Sequence, residues 1–225
     1  MIRAIITDIE GTTTSISFVY DVLFPYAREQ MANFIRTHRE DEIVRTQLAL
    51  ICNEAGKPLE EELAIAQLLT WMDEDKKITP LKTLQGLIWQ HGYDQSHFKG
   101  HLYEDVPRNL RQWHQLGIQL YVYSSGSVQA QKLLFANTAW GDLTGLFSGY
   151  FDTRIGNKRE RESYLHIIQD TGFAPNEILF LSDIEQELTA AAQAGIRTLL
   201  LVRDGDKPAG EFAQVSNFDQ IELPA

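Results

Sequence analysis

Cysteine is almost absent from this sequence, and long hydrophobic runs are missing. Its one cysteine, Cys52, excludes a disulfide within the chain and is typical of proteins from a reducing compartment. No run approaches the roughly 18 consecutive apolar residues that a membrane-spanning helix needs. The first residues, MIRAIITD, lack the basic segment followed by a long apolar stretch that marks a signal peptide. We therefore expect a cytoplasmic protein without a membrane partner.

Basic residues are scarce as well. Lysine and arginine together number 20 against 31 aspartates and glutamates, which gives a net charge of −11. Proteins that bind nucleic acids usually present a basic face to the phosphates, so we expect no nucleic-acid partner. The denser acidic patches, at residues 60–62 and 73–75, are typical of solvated helix faces.

The hydrophobic pattern changes twice along the 225 residues. After a short apolar strand pattern, four amphipathic segments with helical spacing follow over about ninety residues. From residue 106 onward, apolar strand patterns alternate with helical ones, which favours a parallel sheet covered on both faces. The first strand must join that sheet, because alone it cannot bury its apolar side chains. The sequence thus predicts an α/β fold: a Rossmann-like parallel-sheet core, residues 1–15 and 106–225, with an inserted helical-bundle cap domain, residues 16–105.

Polar residues follow the predicted strands of the core where each strand ends. Asp8 and Glu10 come directly after the first strand and just before Gly11, which lets the chain turn tightly. The polar residues that follow the other strands are Ser124, Ser125, Lys158 and Asp183. Each of them alone is about equally compatible with an ordinary turn, a helix cap or a solvated segment. Because the ends of parallel strands meet at one edge of a sheet, we expect them to share one crevice.

This set of side chains suits phosphoryl transfer through a covalent intermediate. An aspartate can attack phosphorus and form an aspartyl-phosphate. Mg²⁺ can bridge carboxylates and a phosphate oxygen, and hydroxyls with a fixed ammonium can neutralise the other phosphate oxygens. A second carboxylate can protonate the leaving group and then deprotonate the attacking water.

The strand ends resemble the motifs of the haloacid dehalogenase (HAD) superfamily. The stretch DIEGT, which begins at Asp8, is similar to the first motif of that superfamily, DxDxT. The strand end YVYSSG, Lys158 and the strand end FLSD are similar to its second, third and fourth motifs. The longer strings DIEGTTT, YSSGSVQAQKLLF and GNKRERESY resemble, more narrowly, the enolase-phosphatase family of methionine salvage. The resemblance extends over the whole chain, including the helical insert.

The resemblance implies a role for each of these residues. Asp8 would be the nucleophile, and Glu10 would be the second catalytic residue. One Mg²⁺ per chain would be bound by Asp8, by Asp183 and by Glu10, the last through its backbone carbonyl. The substrate phosphate would be held by Ser124, Ser125 and Lys158. Glu10 is one methylene longer than the aspartate of the superfamily motif, so the acid–base role of its side chain stays open.

The family's substrate is a small phosphorylated diketone, 2,3-diketo-5-methylthiopentyl-1-phosphate. It is enolised and then dephosphorylated to the acireductone, 1,2-dihydroxy-3-keto-5-methylthiopentene, and both steps require Mg²⁺. The resemblance therefore implies a hydrolase of phosphoric monoesters that acts in methionine salvage. We expect it to work as a monomer. The base that removes the carbon-bound proton is not identified by the sequence.

Other functions remain compatible with parts of the pattern. A HAD phosphatase for another small phosphate ester would use the same residues. A haloacid dehalogenase does not need an acid at the position of Glu10, and a phosphoaccepting regulatory domain has no use for a ninety-residue insert. A catalytically silent binding protein on this fold would lack a nucleophile, yet Asp8 is present.

Three further residues have an ambiguous pattern. Glu187 lies four residues after Asp183, so the two face the same way on a helix. This spacing is about equally compatible with a role in orienting metal-bound waters and with a solvated surface position. His97 and His101 are also four residues apart and can pair on a helix face. No third ligand accompanies them, so we do not expect a zinc site.

Overall fold

A computed structural model describes residues 1–203, 205 and 210–223. The strands are β1 Ala4–Thr7, β2 Gln119–Tyr123, β3 Phe147–Phe151, β4 Ile178–Ser182, β5 Arg197–Leu201 and β6 Gln214–Val215. The helices are α1 Ile16–Phe18, α2 Phe24–Thr37, α3 Glu42–Glu54, α4 Glu61–Asp73, α5 Thr79–Asp94, α6 Asp105–Gln115, α7 Val128–Ala136, α8 Arg161–Thr171 and α9 Glu185–Gln193, with a π-helical turn at Val19–Leu23. None of the helices in these ranges is long and apolar enough to cross a membrane.

The strands of the described residues form one six-stranded sheet in the order β3-β2-β1-β4-β5-β6. Every neighbouring pair is parallel. The chain therefore alternates strands and helices around a parallel sheet, as the sequence pattern predicts, and the α/β fold class is confirmed. The first strand lies in the middle of the sheet, so its apolar residues 4–6 are buried on both sides.

The chain divides into two compact units. One comprises residues Met1–Ile16 and Lys99–Ala225, and the other comprises Ser17–Phe98. The sequence places the second boundary at residues 105 and 106, several residues later, where the alternating pattern resumes. The assignment of the inserted unit as a cap domain stays a prediction.

Each unit has its own hydrophobic core. In the α/β unit, the buried face of the sheet packs against α8 and α9 through residues such as Ile6, Phe180, Ile167 and Leu188. In the helical unit, the core comes from one face of each of α2 to α5, as expected for amphipathic helices in a bundle. The indole of Trp89 in that unit donates a hydrogen bond to the carbonyl of Leu23, 2.8 Å away, at the end of the π-helical turn.

The strand register brings the functional strand ends to one edge of the sheet. Thr7, the last residue of β1, pairs with Val122 of β2 on one side and with Leu181 of β4 on the other. The backbone N–H of Asp8 donates to the carbonyl of Leu181 at 2.9 Å, so the first carboxylate begins where all three strands end. Polar residues that follow these strands are therefore neighbours.

The loop after β1 is folded tightly on itself by the threonine run at residues 12–14. The backbone N–H groups of all three threonines point to the carbonyl of Ile9, at 2.9–3.2 Å. The hydroxyl of Thr13 donates to the carbonyls of Asp8 and Ile9, at 3.3 and 3.2 Å. All three threonines are fully buried. This local network fixes the backbone on which Asp8 and Glu10 are carried.

A buried arginine anchors the same loop to the rest of the α/β unit. Arg203 follows β5, and its Nε donates to the carbonyl of Thr12 at 2.8 Å. Its Nη1 donates to both carboxylate oxygens of Asp105 at the start of α6, at 2.9 and 2.8 Å. Asp105 also accepts the backbone N–H of Phe218 at 2.7 Å. The charge of each buried group is thus paired, as burial requires.

Candidate active site

The centre of the site is a buried lysine held between two carboxylates. Lys158 lies in the turn before α8; its Nζ is 2.5 Å from Oδ1 of Asp8 and 2.7 Å from Oε2 of Glu187. The exposed fractions of Asp8, Lys158 and Glu187 are 3%, 5% and 8%. Buried charges are expensive unless they are paired. Here two carboxylates share one ammonium, so the group carries one uncompensated negative charge when both carboxylates are ionised.

Glu187 also connects this group to the end of β4. Its Oε2 accepts a hydrogen bond from the hydroxyl of Ser182 at 2.9 Å, and that hydroxyl in turn accepts the backbone N–H of Ile184 at 3.1 Å. These two contacts bracket Asp183 in the sequence. Glu187 is therefore buried at the site, which excludes a solvated surface position; a role in orienting metal-bound waters stays a prediction.

The second strand end contributes a serine that contacts the acid after β1. The hydroxyl of Ser124 donates to Oε2 of Glu10 at 3.3 Å and accepts the backbone N–H of Gly126 at 3.1 Å. Ser124 is fully buried, whereas its neighbour Ser125 is exposed. The turn lies directly before α7, and the hydroxyl of Ser127 caps that helix by accepting the N–H of Ala130 at 3.2 Å.

Asp183 approaches the loop after β1 at its glycine. A Cβ atom on Gly11 would lie 2.3 Å from Oδ2 of Asp183, and Gly11 has a positive φ of 73°. Only glycine satisfies both conditions without strain. The carboxylate of Asp183 therefore lies against the backbone of Gly11, between Glu10 and Thr12.

The donors at this edge are hard oxygens of the kind that Mg²⁺ prefers: the carboxylates of Asp8 and Asp183 and the backbone carbonyl of Glu10. Within residues 1–203, 205 and 210–223, no group of three or more His, Cys, Asp or Glu side chains has the arrangement of a metal site. The two carboxylates with one carbonyl are compatible with Mg²⁺, which usually takes only one or two carboxylates and keeps several waters.

Three groups around this ammonium have shifted pKa values: Glu187, Glu10 and Lys158. Burial raises the pKa of Glu187 to about 7, together with the charge of Asp8 and against the opposing effect of Lys158. Burial and the charge of Asp8 also raise the pKa of Glu10. Burial alone would lower the pKa of Lys158, but Asp8 and Glu187 outweigh it and the net pKa is raised. Lys158 thus stays protonated, while Glu187 titrates near neutral pH.

The raised pKa of Glu187 predicts a specific pH dependence of stability. Its pKa in the folded protein, about 7, lies above the ordinary value of 4.5, so folding takes up a proton between these pH values. The contribution of Glu187 to stability is complete below pH 4.5 and is lost as the pH rises to about 7. Glu187→Gln removes this loss, which amounts to at most about 3 kcal/mol.

Urea unfolding of both proteins at pH 4.5, 6 and 7.5, with EDTA present, measures this difference. Glu10 and the other acids titrate in both proteins, so the comparison isolates Glu187. We expect the free energy of unfolding to fall less between pH 4.5 and 7.5 in the variant than in the wild type. Parallel pH profiles would show that Glu187 titrates in its ordinary range.

All of the predicted site residues lie at the same edge of the sheet. The structure brings Asp8 against Lys158, Glu10 against Ser124, and Asp183 against Gly11. The sequence-based set lacked Glu187, although its spacing from Asp183 pointed to it. It also lacked the hydroxyl residues that hold the turn around Lys158. Two of those, Ser163 and Tyr164, lie within the string GNKRERESY.

The sequence of this chain is similar to those of known proteins. The model of the haloacid dehalogenase-like hydrolase family matches residues 2–195. The chain is 57% identical over 222 residues to Enolase-phosphatase E1 of Methylococcus capsulatus, with 98% of each chain covered. It is also 57% identical to Enolase-phosphatase E1 of Thioalkalivibrio sulfidiphilus, with 92% of each chain covered.

Solved structures show the same fold. The chain is similar to the UTR4 protein of Saccharomyces cerevisiae, with a TM-score of 0.86, 34% identity, and coverage of 98% of this chain and 100% of that one. It also shares its fold with CbbY of Rhodobacter sphaeroides, at a TM-score of 0.63 and 14% identity, over 98% and 96% of the two chains. Full-length identity above 50% to several relatives goes well beyond a shared fold. The chain therefore belongs to the haloacid dehalogenase-like hydrolases and, within them, to the enolase-phosphatases of methionine salvage.

Proposed function

We propose that Asp8 is the nucleophile of the phosphatase reaction. One of its carboxylate oxygens attacks the phosphorus of the substrate, a new P–O bond forms, and the ester P–O bond breaks. Water then attacks the phosphorus of the aspartyl-phosphate, which releases inorganic phosphate and restores the carboxylate. The observation that carries this proposal is the contact of Asp8 with the buried ammonium of Lys158 at the edge where the strands end.

Lys158 and the serines after β2 bind the phosphate in this scheme. The ammonium of Lys158 stays charged, so it offsets the negative charge of the phosphate oxygens without a proton transfer. The hydroxyls of Ser124 and Ser125 are the further hydrogen-bond donors to the phosphate. Because Lys158 is buried and already aligned with Asp8, little reorganisation is needed when substrate binds.

Glu10 is the group that moves protons. Burial and the nearby charge of Asp8 raise its pKa, so its carboxyl holds a proton closer to neutral pH than an exposed glutamate does. This shift suits a general acid that protonates the leaving oxygen and then accepts a proton from the attacking water. The contact with the hydroxyl of Ser124, at 3.3 Å, orients the carboxyl beside the proposed phosphate position.

One Mg²⁺ per chain would be held by the carboxylates of Asp8 and Asp183 and the backbone carbonyl of Glu10. When bound, it offsets the charge of the phosphate and polarises the carbonyl oxygens of a diketone. The close approach of Asp183 to Gly11 supports this ligand set, because it keeps the second carboxylate near the carbonyl of Glu10.

The proposed substrate is 2,3-diketo-5-methylthiopentyl-1-phosphate, and the product is the acireductone. The relatives at 57% identity carry the name enolase-phosphatase, and they support enolisation followed by dephosphorylation in this chain. We propose a monomer as the working unit. The single cysteine supports a reducing, cytoplasmic location, and the charge of −11 supports the absence of a nucleic-acid partner.

The diketone phosphate itself tests the proposal when two signals are recorded together. Ultraviolet absorbance follows the enol, and a phosphate assay follows hydrolysis. We expect the enol signal to appear before phosphate and both to stop with EDTA, because the proposed site needs a divalent cation. Excess Mg²⁺ should restore both signals, and a simple aryl phosphate under the same conditions serves as the control substrate.

Two results would contradict the proposal. Turnover that persists at full rate in EDTA would exclude the magnesium site. Equal efficiency on the aryl phosphate and the diketone phosphate, with no enol signal, would indicate a phosphatase of general small esters instead.

A further inference from the structure

The turn that carries Lys158 is held by three buried hydroxyls. Three consecutive backbone carbonyls, those of residues 156–158, each accept a hydrogen bond from a different side chain. The hydroxyl of Tyr123 donates to the first at 3.1 Å, that of Ser163 to the second at 2.7 Å, and that of Tyr164 to the third at 2.8 Å. The turn thus has one hydroxyl donor for each of these carbonyls. We call these three side chains the hydroxyl clamp.

The clamp supports a turn that lies outside the regular elements. Residues 156–158 belong to no helix or strand, and the carbonyl of Asn157 also accepts the backbone N–H of Glu160 at 3.0 Å. Tyr123 and Tyr164 are completely buried and Ser163 is 1% exposed, so the three donor side chains are shielded from water. Burial raises the pKa of both tyrosines, and the phenols therefore keep the protons that they donate. The contact between the hydroxyl of Tyr164 and the carbonyl of Lys158 is buried, so that carbonyl would be left unsatisfied if it lost this donor.

The backbone of the turn is adapted to this close contact. A Cβ atom on Gly156 would lie only 2.1 Å from the hydroxyl oxygen of Ser163, and Gly156 has a φ of 140°. A glycine is needed both for that conformation and for the approach to α8. The chain therefore passes tightly over the clamp before it reaches Lys158.

The clamp also forms one wall of the site around the ammonium. Nζ of Lys158 lies 5.7 Å from the centre of the Tyr123 ring, within the range of a cation–π contact. The rings of Tyr123 and Tyr164 meet edge to face at 5.7 Å. One tyrosine therefore contacts the head of the lysine as well as its turn, and the other packs against the first.

We propose that Tyr123, Ser163 and Tyr164 are positioning residues that set the ammonium of Lys158 against Asp8 and the substrate phosphate. The clamp acts only through the backbone and head of Lys158, so this inference rests on the proposed role of that lysine. Displacement of a positioned group by about 1 Å can cost about 10²-fold in rate. Loss of one clamp hydroxyl should therefore reduce turnover and phosphate affinity while the protein stays folded.

Tyr164→Phe and Ser163→Ala test this with Tyr150→Phe as the matched control. The hydroxyl of Tyr150 is also buried and has no hydrogen-bond partner within the described ranges, so its removal disturbs no carbonyl. We expect kcat/KM to fall about 10- to 100-fold in the clamp variants. The inhibition constant of inorganic phosphate, measured with Mg²⁺ present, should rise at least about threefold. Tyr150→Phe should stay within about twofold of wild type in both.

Each variant is then combined with Lys158→Met. If the hydroxyls act through the lysine, the clamp substitutions should change neither the residual turnover nor the phosphate affinity of Lys158→Met. The same fold-loss in both backgrounds would mean that the hydroxyls only stabilise the fold, and it would overturn the proposal. Wild-type turnover and phosphate affinity in Tyr164→Phe and Ser163→Ala, while Lys158→Met is inactive, would also overturn it but leave the proposed function intact. Full activity of Lys158→Met would instead overturn the role of the lysine, and the clamp with it.

Discussion

Asp8→Asn is expected to lower the rate of phosphate release by at least about 10⁴-fold while the protein stays folded. Asparagine has nearly the same shape as aspartate, but its amide cannot attack phosphorus as a carboxylate does. The substitution also removes one of the two negative charges that share Lys158. The remaining pair of Lys158 and Glu187 is neutral. We therefore expect the free energy of unfolding to be unchanged or slightly higher near pH 7, since the strain of a functional site costs stability.

Asp152→Asn is the control for Asp8→Asn, because it makes the same change at another strand end. Asp152 follows β3 and is buried, and its carboxylate accepts the backbone N–H groups of Val128 and Arg154 at 3.3 and 2.9 Å. In asparagine one side-chain oxygen remains to accept a backbone hydrogen bond, and Asp152 is not among the proposed catalytic residues. We therefore expect turnover to change by less than about tenfold. Steady-state phosphate release and circular dichroism measure the two effects. Normal turnover in Asp8→Asn would exclude the nucleophile assignment.

The main elements of the fold could be predicted because their signals are local. The strand at Ile178–Ser182 has the bounds that the apolar run ILFLS predicts, since polar residues stand on both sides. The helical pattern over Asn109 to Leu116 predicts a start at Asn109, but α6 starts at Asp105. Pro107 lies in its first turn, where a proline removes no intrahelical hydrogen bond. β6, at Gln214–Val215, has only two residues and no alternation, so no pattern could indicate it.

The histidine pair shows where a spacing argument fails. His97 and His101 do not lie on a helix, because α5 ends at Asp94 and α6 starts after both of them. Nδ1 of His97 contacts the hydroxyl of Tyr26 at 2.8 Å in the helical unit. Nδ1 of His101 contacts the hydroxyl of Thr14 at 2.9 Å in the α/β unit. A separation of four residues indicates a shared face only where the backbone is helical.

The candidate site was predictable at the strand ends and less so around them. The rule that parallel strands end at one edge is sufficient to bring Asp8, Ser124 and Asp183 together. The burial of Glu187 depends on Lys158, which arrives from a separate turn, and spacing along one helix cannot show that. The clamp brings a tyrosine from β2 and two residues from α8 to one turn. This arrangement belongs to the tertiary structure, and a local sequence pattern cannot indicate it. The roles given to these residues stay predictions.

Lys158→Met is expected to damage both activity and stability, and the two effects can be separated. Removal of the ammonium leaves Asp8 and Glu187 as buried carboxylates without their cation. Breaking a buried ion pair in this way costs about 3–5 kcal/mol. Phosphate release should fall by at least about 10²- to 10³-fold, since a donor aimed at the transferring group is lost. Urea unfolding and steady-state phosphate release measure the two quantities.

The loss of stability should depend on pH in a defined direction. Lys158 is one of the groups that lower the pKa of Glu187, so its removal raises that pKa further above 7. Glu187 then takes up a proton at neutral pH, which removes one of the two uncompensated charges. A group with a raised pKa in the folded state contributes stability at low pH and loses it as the pH rises. The destabilisation by Lys158→Met should therefore be larger at pH 8 than at pH 5.5.

Adding Glu187→Gln to Lys158→Met should recover stability without recovering turnover. The second change removes a buried carboxylate, so most of the lost free energy of unfolding should return and its pH dependence should flatten. Turnover should stay low, because the glutamine supplies no cation for the phosphate. Lys132→Met, at an exposed lysine on α7, controls for the loss of a positive charge in the same unit. Recovery of activity together with stability would mean that Lys158 supports only the fold, and that the phosphate is bound by other groups.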